Sequence, residues 1–270
     1  MGPEREPRPR RRDPGRSARR RAHRRRRAGG RGRHRSRVVA PLPAPTRPLH
    51  GGRAWVWRWR EPSPGHPWRW CRIYHPSPHT PNGTTHRHFG PLHRLDPHLP
   101  APDGAPRTCP DGRSVLYVAG NLATALGEVF GDFPAAAVCP RYRVALLRPT
   151  APVAVLDLRG QGAAMRIGAL PSLATGDYPR PRTQPWARAI YEDQPVARRR
   201  IHGVYYDAAH SNGPALALWN TEDRLEVPAD SRGAVQDFAL AEPRMWPRVV
   251  DAAVSLGMRA DLVAHCPTCS

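Results

Sequence analysis

The chain has 270 residues and a formal net charge of +21, with 34 prolines, 23 glycines and 43 basic residues, every one of them arginine. That length can bury a core without covalent staples. It holds no uncharged apolar run near the roughly 20 residues of a membrane span, and no apolar stretch follows the first arginines as a secretory signal requires, so a soluble, cytoplasmic protein without membrane contact is expected.

Residues 1–37 carry 17 arginines against three acids, Glu4, Glu6 and Asp13. With almost no apolar side chain they cannot bury a core, and a disordered tail is expected. The tail reads as a nonspecific tether to nucleic acid or another anionic surface, as a solvated arm without function, or as a stretch translated from a start placed too far upstream. Residues 38–69, rich in proline and tryptophan, read as a linker. The ordered domain is expected over residues 70–260, beginning at "WCRIYHP", with 261–270 as a C-terminal tail. A loop dense in Pro, Gly and His follows from Ser77 to Arg113.

"SVLYVA" (114–119) is a short apolar run that predicts a buried strand. Gly120 breaks it, and Asn121 is placed to cap a helix. In "NLATALGEVF" the apolar residues Leu122, Ala125, Leu126, Val129 and Phe130 share one helical face. At about 100° per residue Glu128 lies off that stripe, pointing away from the core. Further strands are predicted at 142–147, 153–158, 202–209 and 215–220, with helices at 184–193 and 248–258. Short strands with scattered helices and no βαβ rhythm give an α+β fold.

Spacing alone points to no chemistry. Five cysteines, Cys71, Cys109, Cys139, Cys266 and Cys269, are odd in number and scattered, which does not suggest a disulfide framework. "HCPTC" offers Cys266, Cys269 and His265, but a tetrahedral zinc needs four ligands and no second paired motif is present. The histidines at 75, 79, 86, 88, 93 and 98 fit no metal motif, so no metal is expected. "GQG" (160–162) lacks the third glycine of a phosphate loop, and Ser211 lacks a nucleophile-elbow frame.

Four segments in order, "CRIYHP" (71–76), "RHFGP" (87–91), "VLYVAGNLATALGEVF" (115–130) and "HGVYYDAAHSNGPALALW" (202–219), resemble the RES-domain family, named for its Arg, Glu and Ser. "QPWARAIYED" is similar to a further helix of that family. The resemblance implies an ADP-ribosyltransferase-like mixed sheet with flanking helices. It also implies an NAD glycohydrolase or phosphorylase that consumes NAD as substrate, and a toxin held silent by a helix-turn-helix antitoxin. Nicotinamide leaves as a neutral group and the ribose becomes oxocarbenium-like. A fixed carboxylate beside it would stabilise that charge, and the resemblance gives this role to Glu128. It gives Arg72 and Arg87 to the phosphates, with Arg94 as an alternative to Arg87. A guanidinium suits that task because it binds two oxygens at once. Tyr117 is implied at the nicotinamide end, and Tyr74 is a second candidate of that kind. The serine departs from the pattern: Ala208 stands in its place, and Ser211, three residues on, is the candidate substitute. Ala208 also leaves open an alternative, a catalytically silent relative that binds nucleotide or nucleic acid through its arginine-rich tail.

Overall fold

Runs of β-branched and aromatic residues make the strands in the computed structural model, which describes residues 42–49, 51–60, 70–175 and 178–269. In chain order these are β1 (Val56–Trp59), β2 (Trp70–Tyr74), β3 (Phe89–Gly90), β4 (Arg107–Thr108) and β5 (Val115–Ala119), then helix α1 (Leu122–Phe130). Next come β6 (Ala135–Val138), β7 (Arg143–Pro149), β8 (Val153–Asp157) and helix α2 (Arg180–Glu192). The chain continues through β9 (Gly203–Asp207), β10 (Pro214–Trp219), β11 (Leu225–Glu226), β12 (Asp237–Ala239), helix α3 (Trp246–Ser255) and β13 (Arg259–Leu262). The fold is α+β, as the sequence predicts. The expected tail over residues 1–37 lies outside the described residues.

The main sheet runs β1-β8-β9-β10-β5-β2-β7-β11, with β12 also pairing β7. Its neighbours are antiparallel, except that β8 and β9 are parallel. The sheet curls. Trp59 on the edge strand β1 reaches Trp70 on β2 with ring centroids 5.7 Å apart, although four strands separate them in the sheet order. Trp57 also meets Trp70, and Trp70 meets Tyr205 of β9 edge-on. Aromatic contacts of this kind add about 0.5–1.5 kcal/mol each beyond the area they bury. The concave face is therefore lined by Trp59, Trp70, Tyr74, Leu116, Val118, Tyr205, Leu216 and Leu218. The tryptophan-rich stretch read from sequence as a linker thus supplies a strand and part of the core. Residues 42–49 dock as well, with Leu42 buried and Arg47 paired to Glu192 and Asp193 at the end of α2.

The convex face carries two apolar clusters. One gathers Trp186, Ala187 and Ile190 of α2 over Val204, Tyr206, Ala215 and Ala217. The other gathers Leu126 and Phe130 of α1 and Val249 and Ala253 of α3 over Cys71, Ile73 and Val144. β6 and β13 form a separate parallel pair. α2 begins four residues before the predicted start and carries Pro185 inside it. Among the described residues, no helix is long and apolar enough to cross a membrane.

Candidate active site

A polar site lies at the seam between the two convex clusters. One wall is α1. Asn121 caps it as its sequence predicts, the side-chain oxygen accepting from the Thr124 amide at 2.8 Å. Gly120 closes the β5–α1 turn where a side chain could not fit, since a Cβ there would meet Pro214 at 2.6 Å. α1 buries Thr124, Ala125, Leu126, Gly127 and Phe130 and leaves Glu128 exposed. Val129, predicted on the buried stripe, is exposed instead.

The opposite wall is the turn after β9. It closes by a hydrogen bond from the Ala208 amide to the Gly213 carbonyl at 2.8 Å, with Asn212 in the left-handed region. Gly213 lies so close to α1 that a Cβ would fall 2.0 Å from the Thr124 hydroxyl oxygen. This close approach brings the Ala209 amide to Glu128, whose Oε1 accepts from it at 3.1 Å. Solvent still reaches the Glu128 carboxyl, yet the walls strip enough hydration to raise its pKa. Burial is the largest influence, and the charge of Arg94 and the Ala209 amide oppose it.

Arg94 is the cation of this seam. One terminal nitrogen donates to the carbonyls of Ala174 (3.2 Å) and Asp207 (2.9 Å), and the guanidinium stacks 4.7 Å from the Tyr206 ring centre. Its other terminal nitrogen, Nη1, is buried without a partner. Burial, then the Glu128 charge, pushes the Tyr206 hydroxyl far above its ordinary pKa.

Tyr117 lies on the same convex face, next to a carboxylate that the sequence reading overlooked. Asp96 is fully buried. It accepts from the Tyr117 hydroxyl at 2.8 Å, from both Leu92 and His93 amides, and from Arg87 through both oxygens at 2.7 and 2.8 Å. Burial alone would raise its pKa, but Arg87 and the two amides outweigh that and hold it below the ordinary aspartate value. His93 packs edge-on against Tyr117 at 5.5 Å. Asp96 sits in "LHRLDPH", a loop without periodicity, and nothing in its spacing marks it.

The structure gathers some of the expected residues and separates others. Glu128 and Tyr117 line the same face, and Arg94 joins Glu128. Arg87 is committed to Asp96 and to the Phe89 carbonyl. Arg72 lies two positions from both Trp70 and Tyr74 on β2 and so shares their concave face. There it donates to the carbonyls of Thr85 (2.6 Å) and Gly83 (3.3 Å), and burial lowers its pKa to about 10. Tyr74 lies on that face too, donating to Asp237 at 2.6 Å. Ser211 packs near Gly127 of α1, its hydroxyl oxygen accepting from the Gly213 amide at 3.1 Å. Ala208 is fully buried in the apolar cluster beneath the site.

A family model described as the RES domain matches residues 66–240. No match is found among curated proteins. Among solved structures, the chain is similar to one in the crystal structure of the M. tuberculosis MbcT–MbcA toxin–antitoxin complex. The TM-score is 0.42 and the identity 18%, over 72% of this chain and 89% of that one.

Proposed function

The chain belongs to the RES-domain family, and from that premise we propose that the seam between α1 and the 208–213 turn cleaves the nicotinamide–ribose bond of NAD. The observation that carries this reading is Glu128. It is a solvent-accessible carboxylate held by one backbone amide, desolvated enough to raise its pKa, and set beside a fixed guanidinium. As the glycosidic bond lengthens, positive charge grows on the ribose. A carboxylate already stripped of part of its hydration stabilises that charge more than one in bulk water. Arg94 opposes the effect of burial on the Glu128 carboxyl, and its buried Nη1 is a donor still without a protein partner. Tyr117, held by Asp96, offers a flat ring for the nicotinamide end.

The phosphate roles expected of Arg72 and Arg87 are weakened, because both guanidinia already serve protein acceptors. Each is better read as holding the 83–96 loop against the sheet. The acceptor is water or phosphate, and an antitoxin that covers the seam belongs to the same proposal. Incubating the protein with NAD, with and without phosphate, distinguishes the acceptors. Release of nicotinamide with free ADP-ribose indicates hydrolysis, and a phosphate requirement with a phosphorylated product indicates phosphorolysis. A folded protein that releases no nicotinamide under either condition contradicts the proposal.

Ala208 supports the alternative of a silent nucleotide-binding relative, since its buried methyl group offers no hydroxyl to a substrate. NAD binding without nicotinamide release would favour that reading.

A further inference from the structure

His75, Cys139, Cys266 and Cys269 place one nitrogen and three sulfurs within 4.8 Å of one another. They come from three separate parts of the chain. His75 directly follows β2 and Cys139 directly follows β6, while the other two sit in the last turn of the described chain. The Nε2 of His75 lies 3.3 Å from the Cys269 sulfur and 3.6 Å from that of Cys139. The Cys269 sulfur lies 3.4 Å from Cys139 and 3.6 Å from Cys266. None of these sulfurs is bonded to another, and a disulfide would need about 2.05 Å.

We propose that these four residues form a structural zinc site. Zinc–sulfur bonds of about 2.3 Å and a zinc–nitrogen bond of about 2.1 Å in a tetrahedron leave ligand atoms roughly 3.5–3.8 Å apart, close to the separations found. Cys139 and Cys266 are buried, so an ion held by their sulfurs would be shielded from water. Cys139 and Cys266 each precede a proline, in "CPRY" and "CPTC". Both turns are closed by backbone hydrogen bonds, from the Tyr142 amide to the Cys139 carbonyl at 3.2 Å and from the Cys269 amide to the Cys266 carbonyl at 2.9 Å. The His75 ring is held edge-on by Tyr142 at 5.1 Å. Three thiolates and one imidazole fill all four positions, which is the composition of a closed, structural site rather than a catalytic one. Ligand atoms this close suit a single ion, and soft sulfur donors in a tetrahedron select zinc. Binding displaces three thiol protons to solvent.

The site ties the final turn to two strand ends far from it in sequence. Cys266 and Cys269 lie beyond the family-matched residues 66–240, whereas His75 and Cys139 lie within them. The ion would pin the final turn to the ends of β2 and β6, beside the ladder that already pairs β13 with β6. α3, which leads into β13, packs on α1, so the same clamp steadies the helix that carries Glu128.

The test is elemental analysis of the full-length, tag-free protein after exhaustive dialysis. About one zinc per chain is expected, falling at least tenfold in Cys139→Ser and in Cys269→Ser and staying in His75→Cys. A folded parent that holds no zinc after zinc is supplied overturns the proposal, as does full zinc content in both cysteine variants. If the cysteine variants do not fold, cobalt substitution of the parent and of His75→Cys decides. Intense visible absorption of a tetrahedral site, with stronger sulfur-to-cobalt charge transfer in the variant, is expected. An identical charge-transfer spectrum in the two proteins overturns the assignment.

Discussion

Two polar clusters flank the domain half built on α1, and they differ in what they leave unfinished. The His75–Cys139–Cys266–Cys269 group is closed: four ligand atoms turn toward one point and little of it meets solvent. The Glu128 seam is open. Its carboxylate meets solvent, Arg94 keeps one nitrogen without a partner, and the 208–213 turn leaves Ala209 and His210 exposed. A closed set suits an ion that never leaves, and an open, partly desolvated set suits a molecule that arrives, reacts and departs. Both are assembled from segments far apart in sequence, so the contrast lies in satisfaction of polar groups rather than in topology.

The strongest way to disturb the open site without touching its carboxylate is Asp96→Asn. It would leave the Arg87 guanidinium without its buried counter-charge, a loss of about 3–5 kcal/mol, read as a lowered denaturation midpoint. The same pair predicts a pH dependence. The Asp96 pKa is lowered in the fold, so its stabilisation is present above the ordinary aspartate pKa. It is lost as pH falls through the lowered folded-state value. Acid denaturation of the parent should show that loss, and Asp96→Asn should flatten it. An unchanged acid limb in the variant would mean that other carboxylates set it.

Next in size is Arg94→Met, which removes the guanidinium charge beside Glu128. Because Arg94 lowers the Glu128 pKa against the effect of burial, the acid limb of kcat/KM for nicotinamide release should move to higher pH. In the parent that limb should already lie above the ordinary glutamate value. A limb that stays in place in Arg94→Met would separate Arg94 from Glu128.

Ser211→Ala should matter least. The hydroxyl accepts from Gly213 inside its own turn, so its removal should cost about 1 kcal/mol or less, with no more than a several-fold change in NAD turnover. A loss as large as that of a catalytic group would restore Ser211 to the role of the missing family serine.

Local sequence carried the elements that local forces decide. The β5 strand, its break at Gly120, the Asn121 cap and the exposed side of Glu128 follow from residues within one window, and the structure places them there. Long-range contacts carried the rest. β1 is a strand because Trp59 lands on Trp70 when the sheet curls, and proline-rich flanks concealed it. α2 starts at Arg180, four residues before the stretch predicted, with Pro181 in its first turn. The direction of Arg72 was readable from its two-residue spacing to Trp70 and Tyr74, whereas its carbonyl partners at Gly83 and Thr85 were not. Asp96 gave no signal, since its partners are Tyr117 of a later strand and Arg87, Leu92 and His93 of the irregular loop before it. "CPTC" was visible as half of a ligand set, and the other half waited on folding to bring positions 75 and 139 together.

The measurement that bears most directly on the open site is nicotinamide release from NAD by the parent and by Glu128→Gln, at a pH where the parent carboxyl is ionised. The amide keeps the shape of the side chain and its contact with the Ala209 amide but removes the charge. The account predicts a rate lower by about 10²–10³-fold in a variant that folds like the parent. Equal rates in the two proteins would contradict it and leave Glu128 as a surface residue of α1.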